Sequence, residues 1–167
     1  CSPLAFAADQ CVTCHEALAD KPSTLFKHDI HFSKGISCSG CHGGNPKAED
    51  MEGAMDKAAG FIGAPKGDDI SKACVRCHSN AANMVKQFNS ILPRNQLEML
   101  MTSVHGKLST TGKERIVQCT TCHNAHGTVA QATALSQNAS YAASSAMLKA
   151  DNRAICTRCH ANAVNFF

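Results

Sequence analysis

Cys11-Val12-Thr13-Cys14-His15 decides how this chain is read, because the same five-residue pattern returns four more times. The others are Cys38-Ser39-Gly40-Cys41-His42, Cys74-Val75-Arg76-Cys77-His78, Cys119-Thr120-Thr121-Cys122-His123 and Cys156-Thr157-Arg158-Cys159-His160. Chance placement at this composition predicts ~0.04 such strings, so five of them are a signature. Ten of the eleven cysteines are consumed and only Cys1 is left over. The first cysteines follow one another at intervals of 27, 36, 45 and 37 residues, which is serial attachment without the fixed period of a solenoid.

Two thiols three positions apart on one turn reach the two vinyl groups of a single porphyrin, and the adjacent imidazole lies under its iron. The pattern therefore predicts five covalent c-type haems. Their thioether residues are Cys11, Cys14, Cys38, Cys41, Cys74, Cys77, Cys119, Cys122, Cys156 and Cys159, with His15, His42, His78, His123 and His160 as proximal ligands. Zinc knuckles do not require histidine after every second cysteine, and four-ligand closure would strand the fifth pair. A thioredoxin-type redox pair needs one such motif beside a strand and helix, not five.

Composition agrees with a cofactor-filled interior. The 167 residues contain no Trp, one Tyr and only 5% aromatic residues, so something besides side chains must fill the middle. The expected fold is mostly irregular with short α-helices organised around a packed haem chain, with little or no β-sheet. Residues 1–10 read as an export or lipoprotein segment and 11–167 as one pentahaem domain.

A histidine count makes the haems unequal. Nine His minus five proximal ligands leaves four, His28, His31, His105 and His126, as candidate distal ligands for five irons. Donation between copies of the chain does not change that ratio. At least one haem must take another sixth ligand or none. Of the six methionines, Met84, Met99 and Met101 lie in the long segment between the third and fourth motifs, and Met84 is preferred; ordinary core packing is the alternative reading for each. A His/Met haem would have a raised potential, whereas an open sixth position would be a substrate site.

Between motifs, Gly43-Gly44-Asn45-Pro46 signals a turn. A helix is expected over 48–59, a loop over 60–67, and a helix start at Asp68-Asp69 that presents Cys74. Residues 80–88 are helix-compatible. From Pro93 onward, Leu97, Leu100, Met101 and Val104 recur at helical spacing, read mainly as packing, and deliver His105 before the stop at Gly106. Residues 130–145 are Ala-, Ser- and Gln-rich, a connector or weak helix, and contain the sequon Asn138-Ala139-Ser140. His126 lies three residues after His123, too close to serve the same iron from the opposite face, so it is expected to reach a neighbouring haem.

His28-Asp29-Ile30-His31 ahead of the second motif resembles class III cytochromes c, in which a His-x-x-His pair precedes an attachment motif. The resemblance implies that His28 serves the haem on Cys38 and Cys41 and His31 a different one. The order of all five motifs also resembles small pentahaem electron carriers that partner cytochrome nitrite reductase, and half of the decahaem conduits of outer-membrane electron export. The likeness spans nearly the whole chain, but its specific features are the haem motifs and distal histidines, of which this chain has fewer than those carriers.

Thioether attachment implies assembly outside the cytoplasm, with a periplasmic or extracellular location. Cys1 reads either as the lipid-modified first residue of an outer-membrane-anchored lipoprotein or as a remnant ahead of the signal-peptide tail Ala5-Phe6-Ala7. No stretch is long and apolar enough to span a bilayer. The formal charge of +3 omits the cofactors. Ten propionates and five ferric cores bring the total to roughly −2 oxidised and roughly −7 reduced, so the basic residues balance propionates and nucleic-acid binding is not expected. The leading functional expectation is an electron carrier for redox partner proteins of the cell envelope. A subunit of a conducting filament that self-associates through terminal haems, and a reductase with one open haem, are the alternatives.

Overall fold

The computed structural model describes residues 9–127 and 159–160. Its architecture is a succession of short helices joined by turns and loops. Among the described residues there is no strand; an isolated bridge joins Leu108 and Arg115.

Aspartate starts most of the early helices. Asp9 caps α1 (Gln10–Ala17) by accepting the Cys11 N–H, and Asp20 caps α2 (Lys21–Phe26) by accepting the Ser23 N–H. Asp29 caps α3 (Ile30–Ser33) through the His31 N–H. Helix α4 (Cys38–His42) is a single turn that coincides with the second motif. Asp50 caps α5 (Met51–Ala54) through the Gly53 N–H. A carboxylate that satisfies an orphan N–H at a helix start adds about 1 kcal/mol and defines where the turn begins.

Helix α6 (Asp68–His78) is the longest, and its last turn and a half is the third motif. A π-helical turn (Ala82–Gln87) follows, then α7 (Gln96–Thr102), a 3-10 turn (Val104–Gly106) that carries His105, and α8 (Cys119–Cys122) at the fourth motif. Each complete motif within the described residues thus puts its two cysteines on one helical turn.

The helix expected over 48–59 shrinks to Met51–Ala54. The Asp50 cap fixes its start, and Asp56 then draws the Ala58 N–H into a turn that ends it. The helix expected from Pro93 begins at Gln96, and its apolar stripe is only half packed: Leu97 and Leu100 are partly covered whereas Met101 and Val104 are exposed.

Among the described residues the buried apolar side chains are Phe26 and Met84. Phe26 packs edge-on against Phe32 with ring centres 5.6 Å apart. Two such side chains, at roughly 1.5–3 kcal/mol each, are a small part of what ordering a chain of this length requires. No helix of the described residues is long and apolar enough to cross a membrane.

Candidate haem-binding site

The motif helices pack in chain order: α1 lies against α4, α4 against α6, and α6 against α8. Polar contacts fix each step. The Gln10 N–H donates to the Pro46 carbonyl at 2.9 Å, tying α1 to the loop after α4, and the Arg76 guanidinium donates to the Cys41 carbonyl, tying α6 to α4. The α6–α8 step is made by buried side chains. Gln118 accepts from the Ser71 hydroxyl at 2.6 Å and donates to Asp68 at 2.7 Å, while Ser71 accepts the Cys119 N–H at 3.2 Å. Arg115 closes the clasp on Asp68, its backbone N–H at 2.8 Å and its guanidinium at 2.9 Å.

Thiol neighbours repeat this order. Cys38 lies close enough to raise the Cys11 thiol and Cys77 close enough to raise that of Cys41, and Cys74 hydrogen-bonds Cys119. Burial, helped by the nearby Asp9 carboxylate, pushes Cys11 up to about 12 and Cys38 to about 11. Accepting the Cys74 bond draws Cys119 down to about 6, and the same bond holds Cys74 protonated.

The imidazoles are prepared for metal at one nitrogen. His42 donates its Nδ1–H to the Gly63 carbonyl at 2.8 Å, His31 donates to Asp29 Oδ1 at 2.7 Å, and His15 donates to Asp20 Oδ2. Each bond selects the tautomer that leaves Nε2 with a free lone pair. His78 and His126 are held below the ordinary histidine value, first by burial and then by the neighbouring His31 and His42 respectively, which keeps them in the neutral form that ligates metals.

Three pairs of histidine rings then lie at nearly one centre-to-centre spacing. His31 and His78 have centres 5.9 Å apart, His42 and His126 6.0 Å, and His105 and His160 6.2 Å. Two imidazoles on opposite sides of one metal, with bonds of about 2 Å and about 1.1 Å from nitrogen to ring centre, stand about 6.2 Å apart. His31–His78 and His105–His160 meet edge-on at 82° and 68° and His42–His126 is stacked at 7°, so it is the separation that recurs. In each pair one ring closes an attachment motif and the other comes from elsewhere in the chain. The residues fit haem, and Arg115 Nε, a buried donor without a protein partner beside α8, fits a propionate-bearing group.

Comparison with known proteins gives the same reading. The sequence profile described as cytochrome c3 matches residues 30–161. The chain belongs to the cytochrome c3 family. A second profile, cytochrome c554 and c-prime, matches residues 4–43. The C-type polyheme cytochrome OmcC of Geobacter sulfurreducens is 25% identical over 124 residues, covering 71% of this chain and 14% of the relative. The chain therefore spans about a seventh of that relative's length. No solved structure matches. This cytochrome c3 family chain is a multihaem c-type cytochrome.

The fold gives each candidate ligand of this cytochrome a position. His126 packs against a ring of a different motif from the one it follows. The His126 ring lies 6.0 Å from that of His42, and His28, which the resemblance pairs with the second motif, is exposed after α2. His31 faces His78, a motif other than the one that follows it. Of the methionines in the long segment, Met84 is buried in the π-helical turn after α6, whereas Met99 and Met101 are exposed. Asp20 and Asp29, which hold His15 and His31, were not singled out from sequence. The available signal was an aspartate five residues after one motif histidine and two before a spare one. Cys1, residues 130–145 with Asn138, and Cys156 lie outside the described residues.

Proposed function

We propose that the chain binds five haems c and relays single electrons between redox partner proteins of the cell envelope. The observation that carries this reading is the set of three facing histidine pairs, each with one ring from an attachment motif, at the separation two axial ligands require. When bound, each haem supplies a reversible one-electron iron couple. The protein holds the attachment motifs side by side in chain order, which suits hopping over short gaps.

The ligand sets follow by inventory. His31 with His78, His126 with His42 and His105 with His160 use six histidines and leave His15, His123 and His28 for two haems. The haem with a different sixth ligand is thus the one on His15 or the one on His123, and buried Met84 is the candidate for that position. His/Met ligation would make it the high-potential member. The extracytoplasmic location rests on thioether chemistry, and a lipid anchor at Cys1 on the sequence reading alone.

Haem stoichiometry and spin state test this reading. The mature protein should contain five haems per chain, and fewer would overturn the count. His126→Ala should convert one low-spin ferric haem to high spin in the electron paramagnetic resonance spectrum and leave the other haems unchanged; an unaltered spectrum would remove His126 from the ligand set. A near-infrared methionine charge-transfer band that disappears in Met84→Ala would support Met84, and its absence from the unaltered protein would exclude it.

A further inference from the structure

Three histidines of this fold have a defined acceptor at Nδ1, and the acceptors differ in charge. His42 gives its proton to a neutral backbone carbonyl, that of Gly63. His31 gives its proton to Asp29 Oδ1 at 2.7 Å, and the same oxygen takes the His31 backbone N–H at 2.8 Å. His15 gives its proton to Asp20 Oδ2. The two carboxylates also differ in setting: the Asp29 side chain is 0% exposed and that of Asp20 is 29% exposed. A fully buried carboxylate at a helix start is rarely placed for capping alone, since a serine or asparagine caps as well without the cost of burying charge.

A carboxylate that accepts the Nδ1 proton of a metal-bound histidine raises the basicity of the other nitrogen and moves electron density toward the metal. On iron this favours the ferric state. A neutral carbonyl does so less. The interaction is stronger where water does not screen it.

We propose that Asp29 and Asp20 are redox-positioning residues, which hold His31 and His15 as electron-rich ligands and so lower the reduction potentials of two haems, Asp29 more than Asp20. The proposal rests on the ligand reading above. Helix α4, with the carbonyl-held His42, packs between α1 and α6, whose motif histidines are His15 and His78, the partner of His31. The two carboxylates therefore act on the haems that flank the second motif, and they bias electrons arriving on either flank toward the haem held by His42 and His126.

The test compares Asp29→Asn and Asp20→Asn in the haem-loaded chain, since asparagine keeps an acceptor oxygen and removes the charge. Potentiometric titration followed by electron paramagnetic resonance resolves individual low-spin haems, whose g values respond to ligand basicity. With haem stoichiometry unchanged, D29N should shift one haem about tenfold toward its reduced state, a rise of about 59 mV for a one-electron couple, and alter its g values. D20N should raise a different haem by less. Unchanged or lowered potentials in fully loaded D29N would overturn the proposal, and a D20N effect as large as that of D29N would overturn the role given to burial. Should D29N fail to take up its haem, D20N decides: a raised potential supports the proposal and an unchanged one overturns it. His31→Ala separates this from the ligand reading. Conversion of one haem to high spin upholds His31 as a ligand whatever the aspartates do, and an all-low-spin spectrum shows that the ligand reading itself has failed.

Discussion

The second and fourth attachment motifs are both pinned by groups distant in sequence, but by different materials. His42 is held by backbone. Residues 43–63 loop out and return so that the Ile62 N–H meets the His42 carbonyl at 2.8 Å and the Gly63 carbonyl takes the His42 ring proton. Inside the loop, Gly44 N–H to Ala59 and Asn45 N–H to Ala54 draw the two limbs together. Helix α8, in contrast, is held by side chains, through Asp68, Ser71, Arg115 and Gln118. The backbone device depends on conformations that few residues adopt, so it should fail abruptly. The side-chain device is a network whose members can be removed singly, so it should weaken by degrees.

Breaking the backbone device should give the largest effect. Gly43 has φ +69°, and a Cβ there would lie 2.0 Å from the Gly60 carbonyl oxygen, so neither the conformation nor the space suits alanine. Gly43→Ala should cost about 3–5 kcal/mol from strain and overlap combined. The expected readout is a lowered thermal midpoint, with one haem losing its low-spin signal as His42 is released from Gly63. A Gly43→Ala protein with a full low-spin complement and an unchanged midpoint would remove the contrast.

Gln118→Ala probes the other device and should be milder. It deletes the acceptor of the buried Ser71 hydroxyl, one donor to Asp68 and the donor to the Arg115 carbonyl, but leaves both Arg115 bonds to Asp68 in place. Unmet buried groups of this kind cost about 1–3 kcal/mol. Denaturant titration of the haem absorbance should show an earlier midpoint with all haems retained. Loss of a haem in Gln118→Ala would mean that α8 depends on this one residue as strictly as α4 depends on its loop.

The two devices also differ in how far sequence reveals them. Gly43-Gly44-Asn45-Pro46 announces a turn, yet nothing in those residues says that the chain returns to His42 twenty-one residues later, because the contact is between backbone groups that every residue carries. The attachment motifs and the start of α6 at Asp68-Asp69 were legible, since each rests on local spacing or capping. The run from Ala48 reads as helix by composition, but the Asp50 cap and the Asp56 turn confine the helix to Met51–Ala54. Histidine inventory leads to the expectation that the haems are not alike. It does not say that the His126 ring would lie beside that of His42, since that depends on how distant helices stack. Asp20 and Asp29 are not marked by any motif, because their contact to an imidazole exists only once the helices turn.

The smallest effect concerns charge within the side-chain clasp. Asp68 is held below the usual carboxylate range, first by the Arg115 backbone N–H, then by the Gln118 amide, with the Arg115 and Lys72 charges adding to them against a desolvation penalty. Its folded value lies below its unfolded one of about 3.9. The stabilisation it gives is therefore fully present above that unfolded value and is lost as pH falls through the folded one. Asp68→Asn keeps an acceptor for Arg115 and Gln118 but cannot titrate. Compared at pH 6, the unaltered protein should be modestly the more stable, and the gap should narrow as the pH is lowered below about 4, where the carboxylate begins to take up its proton. Denaturant midpoints of both proteins at several pH values measure that gap. A gap that stays constant into acid would mean that Asp68 secures α8 as a neutral acceptor, and that the clasp draws nothing from its charge.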